Sequence, residues 1–96
     1  MPYPDAVEYS RHGAKRRIEY GYSHAEIRAA LQDGEIIEEY ENTGRGPSYL
    51  LLHWTESRPV HVVAADKAEA EKTIIITLYD PHSQADKWTD DYRRRK

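Results

Sequence analysis

The segment Tyr9-Ser10-Arg11-His12-Gly13-Ala14-Lys15-Arg16-Arg17 gathers one imidazole and four cations onto a short stretch of chain. An imidazole titrates near neutrality, so His12 could move a proton, and a guanidinium offers a forked set of donors, so Arg16 could hold a phosphate. The two are four residues apart and share one side of a helix, away from the stripe of Val7, Ser10, Ala14 and Ile18. They are thus available to something other than the helix's own core contact. Gly13, beside them, costs about 1 kcal/mol relative to alanine inside a helix, which points to close approach of another group or to a weak helix. The plainer reading is that His12 and Arg16 cap a neighbouring element or pair with the glutamates that follow Gly34.

Such residues need elements to position them, and 96 residues suffice for one core. Charged residues make up 32% of the chain with a formal net charge of -3. That balance excludes nucleic-acid binding by bulk charge and requires any such binding to be local. No cysteine is present, so a disulfide framework and a thiolate metal site are both excluded. No apolar run approaches the roughly 18 residues of a membrane span, and the start lacks signal-peptide character, so a cytoplasmic protein away from membranes is the expectation.

Asp5 followed by Glu8 fits a capping box and predicts a helix over 6–20 that stops at Gly21. Ser23 with Glu26 forms a second capping box, Tyr22 against Ile27 a hydrophobic staple, and together they predict a helix over 24–32 closed by a left-handed Gly34. From Glu35 the period changes to two, predicting strands over 35–41, 48–55, 59–65 and 73–79, with a turn-rich loop over 42–47 and a helix or basic tail over 85–96. The expected fold is a single α+β domain, two N-terminal helices followed by a four-stranded, mainly antiparallel sheet. Its glutamates mark 35–41 as an edge. Leu50, Leu52 and Trp54, then Val60, Val62 and Ala64, then Ile74, Ile76 and Leu78 form three apolar sets expected beneath the helices. The other face would collect Tyr49, His53, His61 and Tyr79, with an odd turn near Ser57 placing His53 across from His61. That inferred pair is the nearest the five histidines come to a metal site, and neither metal nor other cofactor is expected. In this register His61 points away from helix one, so a site joining it to His12 must form across a sheet edge.

Four pieces read together carry a resemblance: His12 and Arg16 with three residues between; Asp33-Gly34-Glu35-Ile36-Ile37-Glu38; Pro59-Val60-His61-Val62-Val63; and Ile75-Ile76-Thr77-Leu78-Tyr79-Asp80-Pro81 followed by Trp88. From about Tyr9 to Arg95 the chain resembles a small bacterial and archaeal family catalogued as domain of unknown function 4258. That family is distantly similar to the RelE and BrnT toxins, compact α+β domains that cut messenger RNA. The resemblance implies RNA as substrate and an antitoxin-like protein as partner. Metal-independent RNA cleavage needs a base for the 2′-hydroxyl, a cation for the phosphorane and an acid for the leaving oxygen. On that reading His12, Arg16, His61 and Tyr79 are catalytic, and Arg11, Lys15, Arg17, Tyr49 and His53 contact RNA. The competing reading is a non-catalytic interaction domain whose acidic strand binds a small basic protein partner.

Overall fold

The computed structural model describes residues 3–41 and 47–96, so most of the turn expected over 42–47 lies outside the described residues. The elements are β1 (Val7–Tyr9), α1 (Arg11–Tyr20), α2 (His24–Asp33), β2 (Glu35–Tyr40), β3 (Ser48–Trp54), β4 (Pro59–Lys67) and β5 (Lys72–Tyr79). Short 3-10 turns follow β4 at Ala68–Ala70 and β5 at Pro81–Lys87. One mixed sheet has the order β1-β5-β4-β3-β2, in which β1 runs parallel to β5 and the remaining pairs are antiparallel. The class is α+β as expected, with five strands in place of four.

The fifth strand comes from the front of the predicted first helix. Val7 and Tyr9 alternate with Glu8 and pair with Thr73 to Ile75 of β5, a long-range ladder that three residues of local pattern do not announce. Asp5 therefore caps no helix and instead forms an ion pair with Arg28 at 2.6 Å. The true N-cap is Ser10, whose hydroxyl accepts from the Gly13 amide and donates to the Ile76 carbonyl. Helix α1 starts where β1 leaves the edge of β5, and Gly13 is what lets it sit there. A Cβ on Gly13 would lie 2.5 Å from the Ile75 carbonyl oxygen, a backbone atom that cannot step aside. Gly13→Ala should therefore destabilise the fold by about 1–3 kcal/mol despite alanine's better helix propensity, as read by urea unfolding. A stabilised variant would show that α1 can slide off the edge without cost.

Gly21 ends α1 in the left-handed region at φ 73°, and the Ser23/Glu26 capping box opens α2 with both hydrogen bonds formed. Gly34 departs from expectation. Its φ of −70° is extended because Glu35, the next residue, already pairs with Leu52 of β3, which leaves no room for a left-handed cap.

The core lies between α2 and one face of the sheet. Tyr22, Ile27, Ala30 and Leu31 pack on Tyr49, Leu51, Val60, Val62, Ala64, Ile75 and Leu78. Full burial of each large aliphatic side chain stabilises by about 1.5–3 kcal/mol. The expected β4 set is correct; the β3 set is inverted and the β5 set is split. The turn joining β3 to β4 spans four residues, Thr55 to Arg58, so Leu51 faces Val62 while Leu52 faces His61. A bulge next to Val63 and Ala64 then brings Ile75 into line with Leu78 in place of Ile76.

The second face is also covered. After the 3-10 turn Pro81–Lys87 the chain returns as a strap, residues 88–96, closed on itself by a bridge between Trp88 and Arg95 and by the Lys96 amide donating to the Lys87 carbonyl. Trp88 is 1% exposed. The C-terminal basic run is thus neither a helix nor a loose tail: Arg93 pairs with Glu35 at 3.1 Å and Arg95 with Glu38 at 2.9 Å. No helix among the described residues is long and apolar enough to cross a membrane.

Candidate functional site

The face under the strap gathers a cluster of groups able to move protons or grip an anion. Strand β2 contributes Glu38 and Tyr40, β4 contributes His61, β5 contributes Tyr79, and the strap contributes Trp88, Tyr92 and Arg95. A bulge in β2 between Ile36 and Glu38 makes this possible. Simple alternation would send Glu35 and Glu38 to opposite faces; the extra residue puts both beside the strap arginines, with Glu35 across from Leu52 and Glu38 across from Leu50.

Glu38 is the most heavily bonded member. Tyr40 donates its hydroxyl proton to Oε1 at 2.6 Å, and Arg95 donates Nε to Oε2 at 2.9 Å and Nη2 to Oε1 at 3.2 Å, a forked pair. Partial burial pushes the carboxyl up, but the hydrogen bonds from Arg95 and Tyr40 and the charge of Arg95 outweigh it, so Glu38 stays below the usual carboxylate range. Its side chain retains 23% exposure. The Arg95 guanidinium also lies over the Trp88 ring, 4.6 Å from its centroid.

His61 is sealed beneath this layer at 0% exposure. Its ring meets the edge of Trp88 at a centroid distance of 4.4 Å and 81°, and its Nε2 lies 2.9 Å from the Tyr92 carbonyl oxygen. A carbonyl can only accept, so Nε2 carries the proton, and Nδ1 is left to accept from the Tyr79 hydroxyl at 3.1 Å. Burial lowers the imidazole from 6.5 to about 4, against the opposing pull of the Tyr92 carbonyl and Glu38, so the ring is neutral at physiological pH. Burial likewise pushes the Tyr79 phenol up to about 12, which keeps it protonated and fixed as a donor. Tyr92 is held in the left-handed region at φ 61°, where a non-glycine residue is strained. Its carbonyl binds His61 while its hydroxyl bonds to His82 Nδ1 at 2.8 Å, so one residue joins the buried network to the surface beyond.

The other sequence-derived candidates lie apart from this cluster. His12 and Arg16 are bonded to each other at 3.3 Å, and Arg16 reaches Glu19 at 3.0 Å, all on the exposed flank of α1. Among the described residues, no hydrogen bond, ion pair or ring contact joins them to His61 or Tyr79. Arg11 and Lys15 are exposed on α1, while Arg17 turns inward to donate to the Tyr22 carbonyl at 3.1 Å. Tyr49 is buried on the α2 side, where its hydroxyl donates to Asp66 at 2.6 Å. His53 also faces that side: it pairs with Val60 and lines a cleft with Ala25, Glu26 and Ala29. The inferred His53/His61 pair therefore does not form, because the four-residue turn places Leu52 across from His61.

Glu38, Tyr40, Tyr92 and Arg95 are not among the site candidates drawn from the sequence. The five carboxylates within Asp33 to Glu41 and the terminal arginines are both visible in the sequence, and their complementary charge was a signal that the two segments meet. A family model described as "Domain of unknown function (DUF4258)" matches residues 9–80. The chain belongs to this family. No characterised protein and no solved structure matches it. The DUF4258 match takes in Glu38, Tyr40, His61 and Tyr79, whereas the strap that supplies Trp88, Tyr92 and Arg95 follows it in the chain.

Proposed function

We propose that this DUF4258 protein acts on messenger RNA as a metal-independent ribonuclease, in the manner of the RelE and BrnT toxins, and that the sheet face under the strap is its working surface. The observation that carries this reading is that two bonded groups, Glu38 with Tyr40 and Arg95, and His61 with Tyr79, lie on one face and bring a carboxylate base, a phenolic acid and a forked cation to it. Arg95 rests on Glu38; a substrate phosphate draws the guanidinium away and frees the carboxylate. Glu38 then takes the 2′-hydroxyl proton as O2′ attacks phosphorus, Arg95 stabilises the charge of the phosphorane, and Tyr79, giving up its hydrogen bond to His61, protonates the departing O5′. The products are a 2′,3′-cyclic phosphate and a 5′-hydroxyl. His61, neutral and buried, positions the Tyr79 hydroxyl. The exposed groups His12, Arg11, Lys15 and Arg16 on α1 serve binding and steering.

The test is incubation of the purified protein with single-stranded RNA in the presence of a chelator, together with induced expression in a bacterial host. Cleavage to cyclic-phosphate ends that disappears in Glu38→Gln supports the reading; intact RNA and unslowed growth refute it. A second reading, a non-catalytic domain that binds a small basic protein, draws on β2 lying at the edge of the sheet with Glu39 and Glu41 exposed. That reading gains if a basic partner forms a stoichiometric complex that Glu39→Lys abolishes and Glu38→Gln leaves intact.

A further inference from the structure

Beyond the network, and joined to it through Tyr92, a cleft of about 480 Å³ opens between the β3–β4 turn and the chain that follows β5. Trp54, Glu56, Arg58, Asp80, His82 and Tyr92 line it. Trp54 projects from the end of β3 with 54% of its surface exposed, although its backbone is fixed in the ladder opposite Pro59. Its ring centroid lies 5.8 Å from that of Tyr92 at an angle of 51°, a tilted ring contact that braces the indole at one wall of the cleft. A rigid, exposed indole beside a second aromatic ring is suited to stacking against a planar heterocycle.

The charges of the cleft decide what part of a nucleotide it takes. Among the described residues its one arginine is already engaged: Arg58 donates to the Tyr20 carbonyl, covers the Tyr22 ring at 3.9 Å and pairs with Asp80. Against it stand two carboxylates, Glu56 and Asp80, so the cleft is a poor phosphate site and a good acceptor site. Asp80 Oδ1 accepts from the His82 amide at 2.9 Å and Oδ2 forms an ion pair with Arg58 Nη1 at 3.7 Å, longer than a hydrogen bond, so each oxygen retains a lone pair for a further donor. A carboxylate matches two neighbouring donors. Of the four RNA bases only guanine presents such a pair on its Watson–Crick edge, the N1–H and the exocyclic amine.

The geometry points to this cleft as a guanine subsite for single-stranded RNA, with Trp54 as the stacking platform and Asp80 reading the base edge. The inference rests on the reading that the strap-covered face acts on RNA, and it assigns which nucleotide sits beside the scissile bond. The strained Tyr92 is the link: it forms a wall of the cleft with its ring and fixes His61 with its carbonyl.

The experiment follows tryptophan fluorescence of the full chain as guanosine, cytidine, adenosine and uridine 5′-monophosphates are added in turn. Trp54 is exposed and Trp88 buried, so quenching reports the cleft. Saturable quenching by the guanosine nucleotide, with at least about tenfold weaker binding of the other three, is expected. Asp80→Asn, whose amide oxygen can still accept from His82, should lose that preference while stacking persists, and Trp54→Ala should weaken all four nucleotides. Equal binding of the four nucleotides, no quenching at millimolar concentration, or a preference untouched by Asp80→Asn would overturn the subsite. Guanine-selective binding by a protein that leaves RNA intact would uphold the subsite and refute the ribonuclease reading. Cleavage without guanine preference, unaffected by Asp80→Asn, would do the reverse.

Discussion

Replacing Trp88 by alanine is expected to cost about 3–5 kcal/mol of stability, the range for removing a large aromatic side chain from a packed site. Trp88 is 1% exposed, stacks beneath Arg95 and forms the lid on His61. The variant should also alter how stability responds to acid. Burial holds His61 at about 4 in the folded protein, so an unfolded chain binds a proton on this ring well before the folded one does. The contribution is therefore fully present above about pH 6.5 and is lost as pH falls toward about 4. Over that window it amounts to about 3 kcal/mol, at about 1.4 kcal/mol per pH decade. Without the indole, water reaches the ring, its pKa rises toward the ordinary value, and the slope flattens. Urea unfolding of both proteins at about pH 7, 5.5 and 4 measures the two effects together. A cost below about 1 kcal/mol, or an unchanged acid slope, would show that the strap is not what seals His61.

Glu38→Gln should lower the rate of RNA cleavage by at least about 100-fold, since a positioned general base contributes about 10²–10⁴-fold. The fold should tolerate the change. The glutamine oxygen can still accept from Tyr40, and the lost ion pair with Arg95 is largely exposed, worth about 0–1 kcal/mol. Tyr79→Phe removes the proton donor and should fall in the same direction, while Arg95→Lys keeps the charge but loses the fork and should slow cleavage with little change in stability. His12→Ala and Arg16→Ala should instead raise KM in a salt-dependent way and leave kcat near its original value, because both sit on the exposed flank of α1. If they abolish kcat while Glu38→Gln does not, the chemistry belongs to α1 and the assignment of the second face is wrong.

How far the sequence could be read depended on whether the deciding contact was local. The Ser23/Glu26 capping box, the stop at Gly21 and the acidic edge strand rest on residues within a few positions of one another, and all three are as expected. The demand made by Gly13 was also legible, although the group that approaches it, the Ile75 carbonyl, was not. What failed depended on distant pairing or on parity. Strand β1 is recognisable only through β5, and a four-residue turn with two bulges decided which of two apolar alternations faced the helices. The same parity governed the site. His61 and Tyr79 stand out in the sequence because an imidazole and a phenol are conspicuous on strands, and the ladder sets them opposite each other across β4 and β5. Their partners were hidden because Glu38 reaches that face through a bulge, and Arg95 through a strap that reads as an ordinary basic tail.

The central claim is that RNA is engaged on the sheet face covered by the strap, and backbone amide chemical shifts during titration with a short single-stranded RNA test it most directly. The account predicts shifts concentrated at Glu38 and Tyr40, at Tyr79 and Asp80, and along Trp88 to Arg95, with weaker, salt-sensitive changes at Arg11, His12 and Lys15. Shifts confined to α1, or no shifts at all at millimolar RNA, would contradict it.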